Sequence, residues 1–293
     1  MGMNNEQPSH QRLEELKASL DEFRMKTRAE AGELRNLFDL AVLKQEVFDN
    51  EAVFNTLVEN EQTIFAEEIA FALGPSRAAK GGTRRVAHLG SGWGVMSREL
   101  IRRNPALTVS DIDFNPVVCR YDQTYNQQHA TEAEPFNRIQ NYVMDAAALG
   151  IADSSMDEVI SFGALRYITA IERGTVVSEA LRVAKPGAQV ILGEVNPPAV
   201  ASFEQILRDR GISATKQEKE IEVLRATAFY FYYFLYHDLP FNSPAVQESF
   251  PIIDFKEQVD SLAKEEGKTP LEILLNLAGK DKRVAEVLVF ERV

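Results

Sequence analysis

The feature that most constrains the fold is a short apolar segment that runs directly into alternating glycines. Residues 85–89 predict a buried strand, residues 97–103 predict a helix, and between them lie Gly90, Gly92 and Gly94. Glycine permits a tight turn and a close approach of the backbone to a ligand, and a helix N-terminus presents unpaired N–H groups. Strand, glycine turn and helix in this order indicate either a nucleotide site or a purely structural turn.

The next predicted strand, residues 107–113, ends on acidic side chains, and its Asp113 lies 19 residues after Gly94. A carboxylate at the tip of the second strand can accept hydrogen bonds from both hydroxyls of a ribose. The alternative interpretation is that Asp113 caps the helix that begins at Pro116. The glycine turn that precedes it favours the ribose interpretation.

Together these segments resemble the class I S-adenosylmethionine-dependent methyltransferase family. The resemblance runs from about Arg85 to Glu194, through segments 88–94, 112–113, 143–146, 155–162 and 182–188, in the family's order and spacing. It implies an α/β Rossmann-like fold with a mixed seven-stranded sheet, an antiparallel last strand, and S-adenosylmethionine as cofactor. The cofactor-binding residues that it implies are His88, Gly90, Ser91, Gly92, Asp113, Phe114, Asp145, Ala146 and Phe162.

One position departs from the family pattern, because His88 stands where the family usually has Asp or Glu. In the family that acid commonly helps to hold the methionine part of the cofactor, including its ammonium group. A neutral imidazole cannot do this in the same way, and an imidazolium would repel the ammonium. Either the change is tolerated, with water or another acid filling in, or it marks a different reaction. We expect His88 to lie beside the methionine part of the cofactor, so that His88→Asp is tolerated or improves binding in a methyltransferase. In an enzyme whose nucleophile is the amine, the same change should harm turnover more than binding.

The leading hypothesis is a small-molecule methyltransferase that needs no metal. Tyr167 lies just past the fourth strand, where the family places groups near the methyl, and His237 is a second candidate proton acceptor. For His237 a surface position beside Asp238 is an equal alternative.

A second hypothesis is attack on the methionine γ-carbon, which releases methylthioadenosine and forms azetidine-2-carboxylate or transfers an aminocarboxypropyl group. A third is a binding module without catalysis.

Composition narrows the choice of partners. The net charge of −12 argues against a nucleic-acid substrate, since a protein that follows phosphates needs a basic surface. The single cysteine, Cys119, excludes an intramolecular disulfide and a cysteine metal cluster, and we interpret it as a small buried apolar residue. The polar N-terminus and the lack of a long apolar stretch predict a cytoplasmic protein with no membrane segment.

The chain divides, by its patterns, into a helical extension at residues 1–80 and an α/β cofactor-binding domain at residues 81–293. The extension either covers the substrate pocket, as in the family, or forms a homodimer contact. An insertion at about residues 220–283 precedes the last strand, and seven of the nine residues 229–237 are aromatic. Most of these rings are interpreted as core packing, although a tyrosine in the pocket would suit a sulfonium, because aromatic faces attract cations.

Overall fold

A computed structural model describes residues 13–19, 65–165, 168–195, 197–224, 235–236 and 252–292. The chain divides into two compact units, one formed by Met1–Asp49 with Leu224–Asp281, and the other by Asn50–Val223 with Lys282–Val293. The boundaries near residues 80 and 220 that the sequence suggests remain predictions. Among the helices of the described residues, none is long and apolar enough to cross a membrane.

The larger unit is built on a seven-stranded sheet with helices on both faces. Its strands are β1 (Arg85–Leu89), β2 (Thr108–Asp113), β3 (Ile139–Val143), β4 (Met156–Phe162), β5 (Ala184–Glu194), β6 (Ala214–Leu224) and β7 (Lys280–Glu291). Its helices are α1 (Ala66–Leu73), α2 (Val95–Arg103), α3 (Pro116–His129), α4 (Arg173–Val183) and α5 (Pro197–Asp209). Short 3-10 helices lie at Ala78–Lys80 and Phe136–Arg138.

The strand order is β3-β2-β1-β4-β5-β7-β6. Strand β1 pairs in parallel with both β2 and β4, whereas β7 pairs antiparallel with β5. The predicted mixed sheet with an antiparallel last strand is therefore confirmed. The order of strands reverses between β1 and β4, and open α/β sheets bind ligands at the carboxyl ends of the strands beside such a reversal. The glycine turn after β1 lies at this place in the fold.

Alternation along the strands assigns each side chain to one of two cores. Ala87, Leu89 and Ile112 pack in the core that includes α4 and α5. Val86 and Val109 pack in the other core, with α1 and α2. Because successive side chains of a strand point to opposite faces, His88 and Asp111 point to the α1 and α2 face. These two residues are register partners on the neighbouring strands β1 and β2.

Three element boundaries differ from those that the sequence pattern predicts, which are a helix from Val200, a sixth strand from Gly211 and a fifth strand from Gln189. Helix α5 begins at Pro197 rather than near Val200, since proline is well suited to a first helical turn. Strand β6 begins at Ala214 and not at Gly211, whose φ of +69° belongs to the turn that ends α5. Strand β5 begins at Ala184, ahead of the expected apolar run, with a register irregularity against β4.

In the smaller unit, the structure describes helical residues 13–19 and the helices α6 (Ile252–Glu266) and α7 (Pro270–Ala278). Their buried side chains form one cluster that includes Leu16, Leu235 and Phe255. Within the aromatic run the structure describes Leu235 and Tyr236, and the hydroxyl of Tyr236 donates to Asp260 Oδ1 at 2.6 Å. The other residues of the run lie outside the described part of the chain.

Candidate cofactor-binding site

The glycine turn between β1 and α2 has a left-handed backbone at alternate positions, with φ of +67° at Gly90, +53° at Gly92 and +70° at Gly94. The Gly90 N–H donates to the Ile112 carbonyl at 2.8 Å, which ties the turn to β2. A Cβ atom on Gly90 would lie 2.3 Å from the Ala164 Cβ, whereas one on Gly92 would meet nothing within 4 Å. Gly90 is therefore required by packing, and Gly92 borders open space that a ligand can enter.

Asp113, at the end of β2, is held against this turn. Its Oδ2 accepts from the Gly92 N–H at 3.0 Å and its Oδ1 from the Asn115 N–H at 2.9 Å. The cap of α3 is Asn115, whose Oδ1 accepts from the N–H groups of Val117 and Val118 at 3.0 and 3.3 Å. The capping alternative for Asp113 is thus wrong. Each carboxylate oxygen of Asp113 keeps a further lone pair with which it could accept from a ribose hydroxyl.

Three apolar side chains are exposed at or after the carboxyl ends of neighbouring strands. Phe114 after β2 is 63% exposed, Val143 at the end of β3 is 54% exposed, and Ile171 after β4 is 92% exposed. Asp145 is exposed and Ala146 is half-buried, and the Asp145 Oδ1 accepts from the Ala147 N–H at 2.8 Å. Exposed apolar groups next to a few polar ones are typical of ligand sites, and this set suits a planar base.

His88 lies behind the turn and is only 2% exposed. Its Nδ1 is 2.8 Å from Ser97 Oγ and 3.3 Å from Asp111 Oδ1, and the Ser97 hydroxyl also donates to Asp111. A carboxylate introduced at position 88 would therefore face the buried carboxylate of Asp111. Like charges in a buried site repel, so the expectation that His88→Asp is tolerated is replaced by the opposite one.

The remaining predicted site residues have different positions. Ser91, 9% exposed, lies within the turn, where its N–H donates to the Ile112 carbonyl at 3.1 Å. Phe162 ends β4, and its half-buried ring packs across Gly193, where a Cβ would lie 2.2 Å from the ring. Tyr167 and His237 lie outside the described residues, so their catalytic roles remain predictions.

A buried polar row across three strands was not predicted from the sequence. His88, Asp111 and Asn141 are register partners on β1, β2 and β3, and helices α2 and α3 bring Arg98 and Asp122 to this row. Arg98 is 2% exposed and Asp122 is fully buried. Burial raises the pKa of Asp122 to about 7, while the charge of Arg98 acts in the opposite direction. The sequence contained one signal that could have indicated this row, namely a charged residue on the apolar side of each helix, Arg98 on α2 and Asp122 on α3.

The described residues agree with the expectation from the sequence that Cys119 is a buried apolar residue. Cys119 is 5% exposed, and burial raises the pKa of its thiol to about 12, which is the behaviour of an inert apolar residue. No group of three or more His, Cys, Asp or Glu side chains in the described ranges could hold a metal ion.

Comparison with known proteins identifies a known domain in part of the chain. Residues 86–187 match the family model described as a methyltransferase domain. No curated protein sequence matches the chain.

Three solved structures are similar at low identity. A candidate sarcosine dimethylglycine methyltransferase from Galdieria sulphuraria is 16% identical, with coverage of 77% of this chain and 84% of the other and a TM-score of 0.49. The [4+2]-cyclase SpnF is 16% identical, with coverage of 78% and 80% and a TM-score of 0.48. An S-adenosylmethionine-dependent methyltransferase from Methanosarcina mazei is 15% identical, with coverage of 72% and 93% and a TM-score of 0.47.

The matched domain contains the glycine turn, Asp113 and the strands β1 to β4. The geometry of this part fits S-adenosylmethionine, because Gly92 leaves open space, Asp113 has acceptor capacity, and Phe114 and Val143 are exposed at the ends of the neighbouring strands. Residues 86–187 are therefore a methyltransferase domain, and the chain is an enzyme that uses S-adenosylmethionine.

Proposed function

We propose that the enzyme transfers a methyl group to a small-molecule acceptor. The observation that carries the proposal is the apolar surface that Phe114, Val143 and Ile171 expose at or after the ends of β2, β3 and β4. The whole chain has a net charge of −12, which would repel a polyanion such as a nucleic acid. Apolar surface in an acidic protein is better suited to a compact acceptor that is neutral or cationic.

When bound, S-adenosylmethionine supplies two electrophilic carbons beside its sulfonium, the methyl carbon and the methionine γ-carbon. We infer that Asp113 holds the ribose, that Phe114 and Val143 contact the adenine, and that Gly92 permits close approach of the backbone. These residues orient the reactants and exclude water, and such positioning supplies much of the rate of methyl transfer. Tyr167 and His237 are proposed to take a proton from an oxygen or nitrogen acceptor.

The surroundings of His88 support methyl transfer. Asp111 Oδ1 lies 3.3 Å from His88 Nδ1, so a carboxylate stands directly behind the position that the family usually fills with an acid. Asp111 is fully buried, and charges interact more strongly in such a place than in water. The negative charge that favours an ammonium is therefore still present near position 88, on the neighbouring Asp111 instead of on residue 88 itself.

The second candidate function, attack on the γ-carbon by an amine, is supported by one observation. The side chain at position 88 is an imidazole, so no carboxylate at that position holds the ammonium in its charged form. A neutral amine is the nucleophile in such a reaction, and a contacting carboxylate would raise its pKa.

The adenosine product separates the two reactions. The protein is incubated with S-adenosylmethionine alone and with sets of amines, phenols and carboxylic acids, and the products are resolved chromatographically. Methyl transfer predicts adenosylhomocysteine that depends on one acceptor set. Attack on the γ-carbon predicts methylthioadenosine. If neither product accumulates with any set, although the protein binds the cofactor analogue sinefungin, both candidate functions are wrong.

The placement of the ribose is tested by Asp113→Ala. Hydrogen bonds to a charged group contribute about 1.5–3 kcal/mol each, so the dissociation constant for sinefungin should rise about tenfold or more. Trp93, the only tryptophan of the chain, lies beside Gly92 and provides the fluorescence signal. Asp153→Ala is the control, because Asp153 is largely exposed and pairs with Arg182. Equal dissociation constants for the two variants would contradict the placement of the ribose on Asp113.

A further inference from the structure

The glycine turn is a backbone segment that requires external support. Three of its five residues have left-handed φ values, and its own polar bonds include one from the Gly94 N–H to the Ser91 carbonyl at 3.0 Å. A short turn with so many alternative glycine conformations loses much conformational freedom when it is ordered. Contacts from beneath the turn therefore influence how much of the protein holds the ligand-binding conformation.

One such contact is made by the guanidinium of Arg98, in the second turn of α2. Its Nη2 donates to the carbonyl oxygen of Trp93, inside the glycine turn. Its Nη1 donates to Asn126 Oδ1 at 2.9 Å and to Asp122 Oδ1, and its Cζ lies 4.9 Å from the centre of the Tyr125 ring. The guanidinium thus joins the turn to helix α3 through hydrogen bonds on two of its nitrogens.

Asp122 completes the support from the side of α3. A Cβ atom on Gly94 would lie 2.4 Å from Asp122 Oδ2, so this carboxylate packs directly against the last glycine of the turn. The other polar groups that act on Asp122 are the amides of Asn126 and Asn141 and the charge of Asp111, with His88 beyond Asp111. Arg98 provides the positive charge that stabilises this buried carboxylate.

We propose that Arg98 is a positioning residue of the cofactor site, which holds the Trp93 carbonyl and the Asp122 carboxylate so that the turn Gly90–Gly94 stays in its ligand-binding conformation. The inference rests on the proposed placement of S-adenosylmethionine on this turn. A buried ion pair by itself is weak evidence of a stabilising role, because an apolar pair of similar volume is often as stable. The bond from the same guanidinium to a carbonyl of the turn is what connects this pair to binding.

The test compares Arg98→Lys and Arg98→Met with Arg103→Met as the matched control. Arg103 lies on the same helix, but its Nε pairs with Glu99 at 2.9 Å, away from the turn. Binding of sinefungin and of adenosylhomocysteine is followed by Trp93 fluorescence and by calorimetry, together with thermal unfolding. We expect dissociation constants at least tenfold higher in Arg98→Met and several-fold higher in Arg98→Lys, which keeps the charge without the planar fork. The control should stay within about twofold of the wild type.

The calorimetric stoichiometry separates positioning from mere stability. A purely structural role predicts fewer binding sites per chain with an unchanged dissociation constant in the folded fraction, and that result would overturn the proposal. If Arg98→Met does not fold, then Arg98→Lys and Asp122→Asn decide, and dissociation constants like that of the wild type in both would overturn it.

A pH profile adds a readout that depends on Asp122. Protonation of Asp122 removes the charge that holds Arg98, so binding by the wild type should weaken as the pH falls from about 8 to about 6. In Asp122→Asn this change should be absent, and a change of the same size there would count against the proposal. If the wild type binds neither sinefungin nor adenosylhomocysteine, the proposed placement of the cofactor is wrong. If the wild type and the variants bind these ligands equally well, the placement stands and only the positioning role of Arg98 is wrong.

Discussion

Gly90 and Gly92 have nearly the same backbone conformation but different surroundings, and substitution by alanine should therefore affect them unequally. Both have left-handed φ values, of +67° and +53°. That conformation costs alanine about 1–2 kcal/mol, and the reduced freedom of the unfolded chain offsets about 0.4–1 kcal/mol of it. Gly92→Ala has no added contact within 4 Å, so it should lower the free energy of unfolding by about 1 kcal/mol or less.

Gly90→Ala adds a steric overlap to the same conformational cost. The new Cβ would lie 2.3 Å from the Ala164 Cβ, and alanine has no rotamer that could relieve the contact. The backbone after β4 must move instead, and overpacking of this kind costs about 1–3 kcal/mol. We therefore expect Gly90→Ala to lower the free energy of unfolding by about 2–4 kcal/mol in total.

Urea denaturation followed by Trp93 fluorescence measures both changes next to the turn itself. The decisive variant is Gly90→Ala combined with Ala164→Gly, which removes the atom that causes the overlap. The double variant should regain about 1 kcal/mol or more relative to the sum of the single changes. The packing argument is refuted if Gly90→Ala and Gly92→Ala are equally destabilising, or if Ala164→Gly regains nothing.

Three further outcomes follow from buried or clustered charges. Burial raises the pKa of Glu158 above its usual 4.5. The protonated side chain therefore contributes to stability at low pH, and this contribution is lost as the pH rises above 4.5. Glu158→Gln should gain stability relative to the wild type over the same rise in pH, and a constant difference in urea unfolding would contradict this. His88→Asp should lower the free energy of unfolding by about 2 kcal/mol or more, because the new carboxylate faces Asp111. His88→Asn, which adds no charge, should lower it by less. If both variants are equally destabilised in thermal unfolding, repulsion between the charges is not the cause. Arg182 donates to two carbonyls of the loop 149–153 at 2.8 Å, so Arg182→Lys should cost about 1–2 kcal/mol and increase amide exchange in that loop, and unchanged exchange would refute the role.

Local chemistry explains which parts of the fold could be predicted. Glycine adopts positive φ without a steric penalty, so Gly90, Gly92 and Gly94 mark a turn in the sequence just as they form one in the structure. Apolar segments followed by turn residues predicted β1 to β5 and their helices, because a parallel strand buried on both faces is apolar along its length. The family resemblance then implied the mixed seven-stranded sheet, its antiparallel last strand and the cofactor, which periodicity alone does not contain.

Boundaries and caps were less accessible to sequence reasoning, since neighbouring polar residues compete for the same role. The sequence analysis considered Asp113 as a cap of α3 and did not identify Asn115, although both side chains are capable of capping a helix. The structure assigns the cap to Asn115, because the parallel pairing of β2 places the Asp113 carboxylate within reach of the Gly92 N–H at 3.0 Å. Helix α6 lies in the insertion, at residues for which the sequence analysis predicted no helix.

By itself the sequence determined the glycine turn, the acid at the end of β2, and the single cysteine as an apolar residue. Only the tertiary structure decided the partners of the buried charges. Arg98 and Asp122 are 24 residues apart, and they meet because α2 and α3 cover the same face of the sheet. Asp111 and Asp113 point to one face of one strand, yet the first is enclosed beside His88 and the second reaches the turn. A strand's alternation specifies the face of each side chain, but the packing of distant elements on that face determines what the side chain contacts.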